Sequence, residues 1–206
     1  MSAENAKNSF NQLLGQKIEN WQGAKRPELV TLHGTYCTLE PLDINKHAAK
    51  LFENLLHDNP GDSWTYLPYG PFTQLNEFCT WIEKTSRAES DTQLFAILDK
   101  NLMPVGVAGY LRMNPAHGVI EVGHLHYSKF LQKTPAATEA MYLMMRHAFD
   151  ELNYRRYEWK CNSLNDPSKS AALRLGFTFE GTFRQSNVFK NHNRDTCWFS
   201  IIDSEW

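Results

Sequence analysis

The sequence predicts one α/β (or α+β) domain built on a mixed sheet. Three observations carry that expectation. Residues 119–177 read as strand, tight turn, long helix, strand and short helix in succession. Within them residues 157–162 alternate with period two, Tyr157, Trp159 and Cys161 against Glu158, Lys160 and Asn162. Met141, Met144, Met145, Ala148 and Leu152 repeat at helical spacing over residues 135–152. A chain of 206 residues, 42% of them hydrophobic, can enclose one substantial core, and nothing in it asks for a second domain.

Residues 1–33 mix polar residues and proline with Phe10, Leu13, Leu14, Ile18 and Trp21, and are read as an arm, either packed on the body or partly mobile. The body is placed at 34–206. Residues 36–42 suit a first strand. Ala48, Leu51, Phe52, Leu55 and Leu56 then recur at three- and four-residue steps, a helix over 45–57 that Pro60-Gly61-Asp62 stops. A loop over 64–72, rich in aromatics and proline, leads to a second helix over 75–87 with Phe78, Trp81 and Ile82 on its buried face. Residues 93–98 and 105–112 have hairpin spacing, and 114–118 turn into a strand over 119–127. Thr134 is an apt N-cap and Pro135 an apt first residue for the helix at 135–152. A short helix over 167–175 stops at Gly176, and 177–189 with 195–202 form a hairpin closed by 190–193.

Charge and cysteine usage narrow the functional classes. Net charge is −2 and the basic residues are scattered, which disfavours a nucleic-acid partner. Cys37, Cys79, Cys161 and Cys197 include no C-x-x-C pair, so neither a zinc framework nor a redox motif is expected, and no metal is assigned. The first residues lack the apolar core of a signal peptide and no apolar run nears the roughly 18 residues of a membrane span. The expectation is a cytoplasmic protein with reduced thiols, acting away from membranes as a monomer or homodimer.

The turn at 131–140 delivers backbone N–H groups to a helix N-terminus, where four lack intrahelical partners and the macrodipole is positive, a setting for phosphate. Here Gln132, Ala137 and Thr138-Glu139-Ala140, followed downstream by Asn165, Ser168, Gly176 and Phe177, carry a resemblance. The chain resembles the GNAT superfamily of N-acetyltransferases, and within it the RimJ/RimL branch that acetylates ribosomal-protein N-termini. The resemblance spans about residues 34–202; Pro135 stands where that family's turn has a glycine. It implies a central, mostly antiparallel mixed sheet of about seven strands flanked by helices, with the fourth and fifth splayed apart, and acetyl-CoA as cofactor.

The same resemblance implies the site. Pantetheine would pair with the open backbone of the fourth strand, about residues 122–127 with Leu125, His126 and Tyr127, and a main-chain N–H there would hold the oxyanion. The pyrophosphate would take Gln132, Lys133, Thr134, Ala136, Ala137 and Thr138, Pro135 having no N–H to offer. Asn165 and Ser168 would meet the pantetheine arm, with Ser168 able to donate to the leaving thiolate; Asn165 is equally a helix cap by its position. Ala172 occupies the region where many relatives carry an acidic tyrosine. Glu121 is the first candidate base, with His124 and His126 behind it, and strict alternation puts Glu121 on the opposite face from both histidines unless a bulge intervenes. Trp64, Tyr66, Tyr69 and Phe72 would frame the acceptor's entrance, and Arg184 and Arg194 would anchor an acceptor anion. No cysteine has a nucleophile's context, so transfer would be direct, to a primary amine, most in keeping with a protein N-terminus. A small-molecule amine, or a non-catalytic acyl-CoA-binding module, are the other readings left open by the sequence.

Overall fold

A computed structural model describes residues 6–57, 61–86 and 90–206. The helix stop at Pro60, the helix end at Arg87 and the first five residues of the arm lie outside those residues. Eight strands form one sheet: β1 (Leu32–His33), β2 (Thr38–Pro41), β3 (Thr92–Leu98), β4 (Pro104–Asn114), β5 (Val119–Tyr127), β6 (Arg156–Asn162), β7 (Thr178–Phe189) and β8 (His192–Ile202). Their order across the sheet is β1-β2-β3-β4-β5-β6-β8-β7, antiparallel everywhere except between β5 and β6. That parallel pair needs a crossover, which α3 (Pro135–Arg146) and a wider helical turn over His147–Glu151 supply.

The expected architecture is present with two differences at its edges. The strand count is eight, because Leu32–His33 forms a two-residue partner for the expected first strand, here β2. The last hairpin is tighter than expected: Lys190 and Asn191 both adopt φ near +50 to +62, and the strands close on those two residues alone, as hairpin twist prefers.

Two cores lie on opposite faces of the sheet. On one face Tyr110, Val122, Tyr157 and Trp159 pack against Ala140, Met141 and Met144 of α3, with Ala172 of α4 (Asp166–Arg174) beside them. On the other, Leu94 and Val107 meet Leu51 and Leu55 of α1 (Ala49–Leu56), Phe78 and Ile82 of α2 (Leu75–Thr85), and Trp64. The arm from Trp21 onward runs along the body, its indole Nε1 donating to the Ala116 carbonyl at 2.8 Å and the Ala24 and Lys25 N–H groups bonding to Pro115 and Leu152. Before Trp21, Phe10 and Leu13 are exposed.

Glu139, the middle of Thr138-Glu139-Ala140, ties α3 to the start of β2. Its carboxylate accepts from the N–H groups of Thr35 at 2.8 Å, Tyr36 at 2.5 Å and Cys37 at 2.9 Å. Burial opposes its charge, but those three donors outweigh burial and lower its pKa. The loop approaches so closely that a Cβ on Gly34 would lie 2.4 Å from Glu139 Oε2, which only glycine avoids.

Candidate active site

The parallel pairing of β5 and β6 runs from Val119↔Arg156 to Val122↔Trp159 and stops there, although β5 continues to Tyr127 and β6 to Asn162. The strands therefore splay beyond Val122. Antiparallel pairing with β4 occupies only the other edge of β5, so the edge of residues 123–127 that faces the splay has no strand partner among the described residues. A cleft of about 260 Å³ opens at this point, lined among others by Tyr66, Arg112, Glu121, His124, Ser168 and Arg194.

A bulge brings together residues that simple alternation separates. The β4–β5 register shifts between Gly109↔Gly123 and Val107↔His126, and His124 takes a left-handed φ of 52°. After this extra residue His124 and His126 point to the face that Glu121 shares, and Leu125 and Tyr127 turn to the α3 side. Strict alternation fails here because a residue in the left-handed region breaks the pleat. His124 lines the cleft, with Nδ1 3.1 Å from the Tyr69 hydroxyl. Burial, and secondarily the charge of Arg112, hold its pKa down to about 4. His126 is buried instead, its Nε2 2.8 Å from Ser63 Oγ and its ring against Trp64, and burial likewise takes it to about 4.

Glu121 is buried and clamped. Arg112 Nη1 lies 2.5 Å from its Oε1 and Lys160 Nζ 2.7 Å from its Oε2. Lys160 also reaches Glu158 at 2.8 Å; Arg156 bonds Glu158 at 2.7 Å and forks onto Glu180, which accepts from Ser200 Oγ at 2.7 Å. Charges thus alternate from β4 to β7 across one face of the sheet, and chiefly the Arg156 fork lowers Glu180 to about 2. With a cation on each of its oxygens, the arrangement gives Glu121 an electrostatic task.

Ser168 lies in the first turn of α4 and lines the cleft. Its Oγ accepts from Trp159 Nε1 at 3.0 Å, and its hydroxyl is also in hydrogen-bond contact with the Cys161 thiol. Asn165 caps α4, its Oδ1 accepting from the Ser168 N–H at 3.2 Å, and also borders the cleft. At the start of α3 the Thr134 hydroxyl accepts from the Ala137 N–H at 3.3 Å and donates to the Leu131 carbonyl at 2.7 Å. That removes the Ala137 N–H from the expected phosphate donors. The backbone N–H groups of Lys133, Thr134 and Ala136 have no hydrogen-bond partner among the described residues. The Gln132 side chain donates to the Tyr127 carbonyl at 2.8 Å and Thr138 Oγ1 accepts from Arg174, so both brace the turn.

The aromatic loop divides. Tyr66 borders the cleft and donates from its hydroxyl to the Leu164 carbonyl at 3.0 Å, while Lys190 at the hairpin tip donates to the Trp64 carbonyl at 2.7 Å. The loop is thereby fastened over the cleft at both sides. Trp64 itself is 1% exposed, because its indole fills the core between His126 and Phe72 rather than framing an entrance. Tyr69 orients His124 from behind, stacked between Phe72 and Trp81. Arg184 is not at the cleft; it borders a separate depression with Phe183 and Asp195 on the last hairpin. Arg194 does line the cleft. Arg112 and Lys160 are site residues that sequence reasoning missed; the polar face of β6, charged yet unsuited to solvent beside so apolar a neighbour face, was the available signal for Lys160.

A sheet splayed between two parallel strands, with free N–H groups at the following helix, defines an acyltransferase of the GNAT type. The chain belongs to that family: residues 37–178 match its acetyltransferase (GNAT) domain. It is an N-acetyltransferase, and its family uses acetyl-CoA and amine acceptors. A GCN5-related N-acetyltransferase from Brucella melitensis is 42% identical, covers 92% of this chain and 86% of its own, and superposes with a TM-score of 0.88. A GNAT-family chain from Chromobacterium violaceum is 41% identical over 95% of this chain and 97% of its own, with the same TM-score. The ribosomal-protein-serine acetyltransferase of Escherichia coli is 28% identical over 102 residues, 49% of this chain and 56% of that protein.

Proposed function

We propose that this enzyme moves acetyl from acetyl-CoA to the α-amine of a protein or peptide N-terminus. Acetyl-CoA fits the residues present: the N–H groups of Lys133, Thr134 and Ala136 have no other partner among the described residues, and the edge of β5 beyond Val122 is open to extended ligand backbone. Bound there, it supplies the acetyl thioester. A main-chain N–H of β5 can hold negative charge building on the acyl oxygen, and the Ser168 hydroxyl, whose lone pair is engaged by Trp159, can donate to the departing sulfur.

The observation that carries the choice of acceptor is that, among the described residues, the cleft holds no carboxylate free of a cation. Glu121 is held between Arg112 and Lys160, and His124 is neutral and weakly basic. Reaching the neutral amine at pH 7 costs about 1 kcal/mol for an α-amine and about 4.6 kcal/mol for lysine, from their pKa values of roughly 7.7–8.0 and 10.4. Cations beside the cleft further disfavour a protonated amine. His124 and water need only carry the proton away. The 28% identity to a ribosomal-protein-serine acetyltransferase supports the same acceptor class. Mass spectrometry of peptides carrying both a free N-terminus and an internal lysine tests it: acetyl is expected on the N-terminus, and efficient acetylation of the lysine when the N-terminus is blocked would refute the assignment.

A further inference from the structure

Among the cations at the cleft, Arg194 is in no direct ion pair among the described residues, although the Glu121 carboxylate lies near enough to favour its charge. Arg112 and Lys160 are each paired to Glu121, and Lys160 to Glu158 as well. Arg194, on β8 across the cleft, makes no ion pair or side-chain hydrogen bond among the described residues. Its Nε is buried without a partner, and its guanidinium rests 4.7 Å from the centre of the Phe189 ring. The neighbouring carboxylate of Asp195 is already taken, accepting from the Gln185 N–H at 2.7 Å and Asn193 Nδ2 at 3.0 Å. A buried donor left unmade costs free energy, and native structures retain one where function requires it.

We propose that Arg194 reads a carboxylate on the acceptor, close to the amine that is acetylated, and so selects acidic acceptors. This rests on the α-amine reading above. The planar fork of a guanidinium matches a carboxylate through two parallel N–H bonds, and its stacking on Phe189 fixes the plane. A neutral carbonyl would satisfy one N–H but leave the charge uncompensated. The cofactor's phosphates are not candidates, because the free N–H groups of the proposed pyrophosphate turn belong to Lys133, Thr134 and Ala136, which do not border this cleft. Burial, the leading influence on Arg194, lowers its pKa, and the nearby Glu121 charge offsets this only in part. The carboxylate has two possible sources: the second side chain of a peptide, or the terminal carboxylate of a very short acceptor.

Three acceptors separate these: an amidated peptide beginning Ala-Ala, the same peptide with aspartate second, and free Ala-Ala with its terminal carboxylate. The wild-type enzyme is expected to favour at least one acidic acceptor over the neutral peptide by roughly tenfold or more in kcat/KM, mainly through KM. In Arg194→Gln the ratio should fall towards one, and Arg194→Lys, which keeps charge without the fork, should lie between. Calorimetric binding of the three acetylated products reads the same preference without turnover. A binding preference in an inactive protein would sustain the Arg194 assignment and refute the acetyl-transfer reading. Turnover with equal kcat/KM for all three acceptors, or a preference unchanged in a folded Arg194→Gln, would overturn the assignment and leave acetyl transfer standing.

Discussion

At the residue scale, His124 and the Ser168 hydroxyl line the cleft and His126 is buried behind it. His124 and His126 are both held near pKa 4, chiefly by burial, against 6.5 when unfolded. The depressed folded pKa means that the unfolded chain binds protons first. Their contribution is therefore complete above pH 6.5 and is lost as pH falls through 4, up to on the order of 3 kcal/mol per histidine. Urea unfolding between pH 7 and 4 should show this decline, and His126→Gln, which cannot titrate, should show a shallower one; equal slopes would remove His126 from the account. Because neither histidine titrates between pH 6 and 8, the kcat/KM profile should follow the acceptor's own amine, with an inflection near its solution pKa and none near 6.5. For Ser168→Ala, a folded variant should lose roughly tenfold to a hundredfold in kcat with little change in KM for acetyl-CoA, since a donor to developing charge is worth about 1.5–3 kcal/mol. Wild-type turnover in that variant would return Ser168 to its contacts with Trp159 and Cys161. Which of these residues meet was only partly legible in the sequence. Glu121, His124, Asn165 and Ser168 were nameable from strand and motif, but a single left-handed residue decides which face His124 takes, and local spacing does not encode it.

At the scale of elements, the start of α3 and its tie to β2 carry the proposed phosphate site. Thr134 and Pro135 begin α3 as their types suggest, and the N-cap bond makes Thr134→Ala worth about 1 kcal/mol of stability, measurable by denaturant midpoint. Pro135→Gly reverses the chain's departure from its family's turn. It should lower stability by about 0.4–1 kcal/mol through the freer unfolded chain. With one N–H regained, it should also tighten acetyl-CoA binding by roughly twofold to tenfold. Binding that is unchanged or weaker would show that the missing N–H was never part of the phosphate site. The periodic elements, α3 and β6 above all, were readable because each buries one face against the other. Strand β1 was not, since two residues carry no period and its pairing depends on the distant Glu139 holding the loop at 34–37. The role of Glu139 was hidden for the same reason: a motif residue one turn into a helix shows no sign in sequence of three backbone donors more than a hundred residues away.

For the whole molecule, the splay between β5 and β6 leaves an open backbone edge on β5 beside a polar cleft, and α3, with its donor-rich start, follows β5 in the chain. The topology was legible only through the family resemblance; periodicity alone reaches a mixed α/β sheet. A ligand that binds only the folded state stabilises it by RT ln(1 + [L]/Kd), about 2.7 kcal/mol at a hundredfold excess over Kd. Acetyl-CoA should therefore raise the melting temperature clearly, and pantetheine, without the pyrophosphate, should raise it less. The most direct measurement of the central claim is a single reaction followed in two channels, free coenzyme A released and acetyl added to a peptide located by fragmentation. One acetyl is expected on the N-terminal α-amine for each coenzyme A released, with none on internal lysine. Coenzyme A release without peptide acetylation, or acetyl found on lysine while the N-terminus stays free, would contradict it.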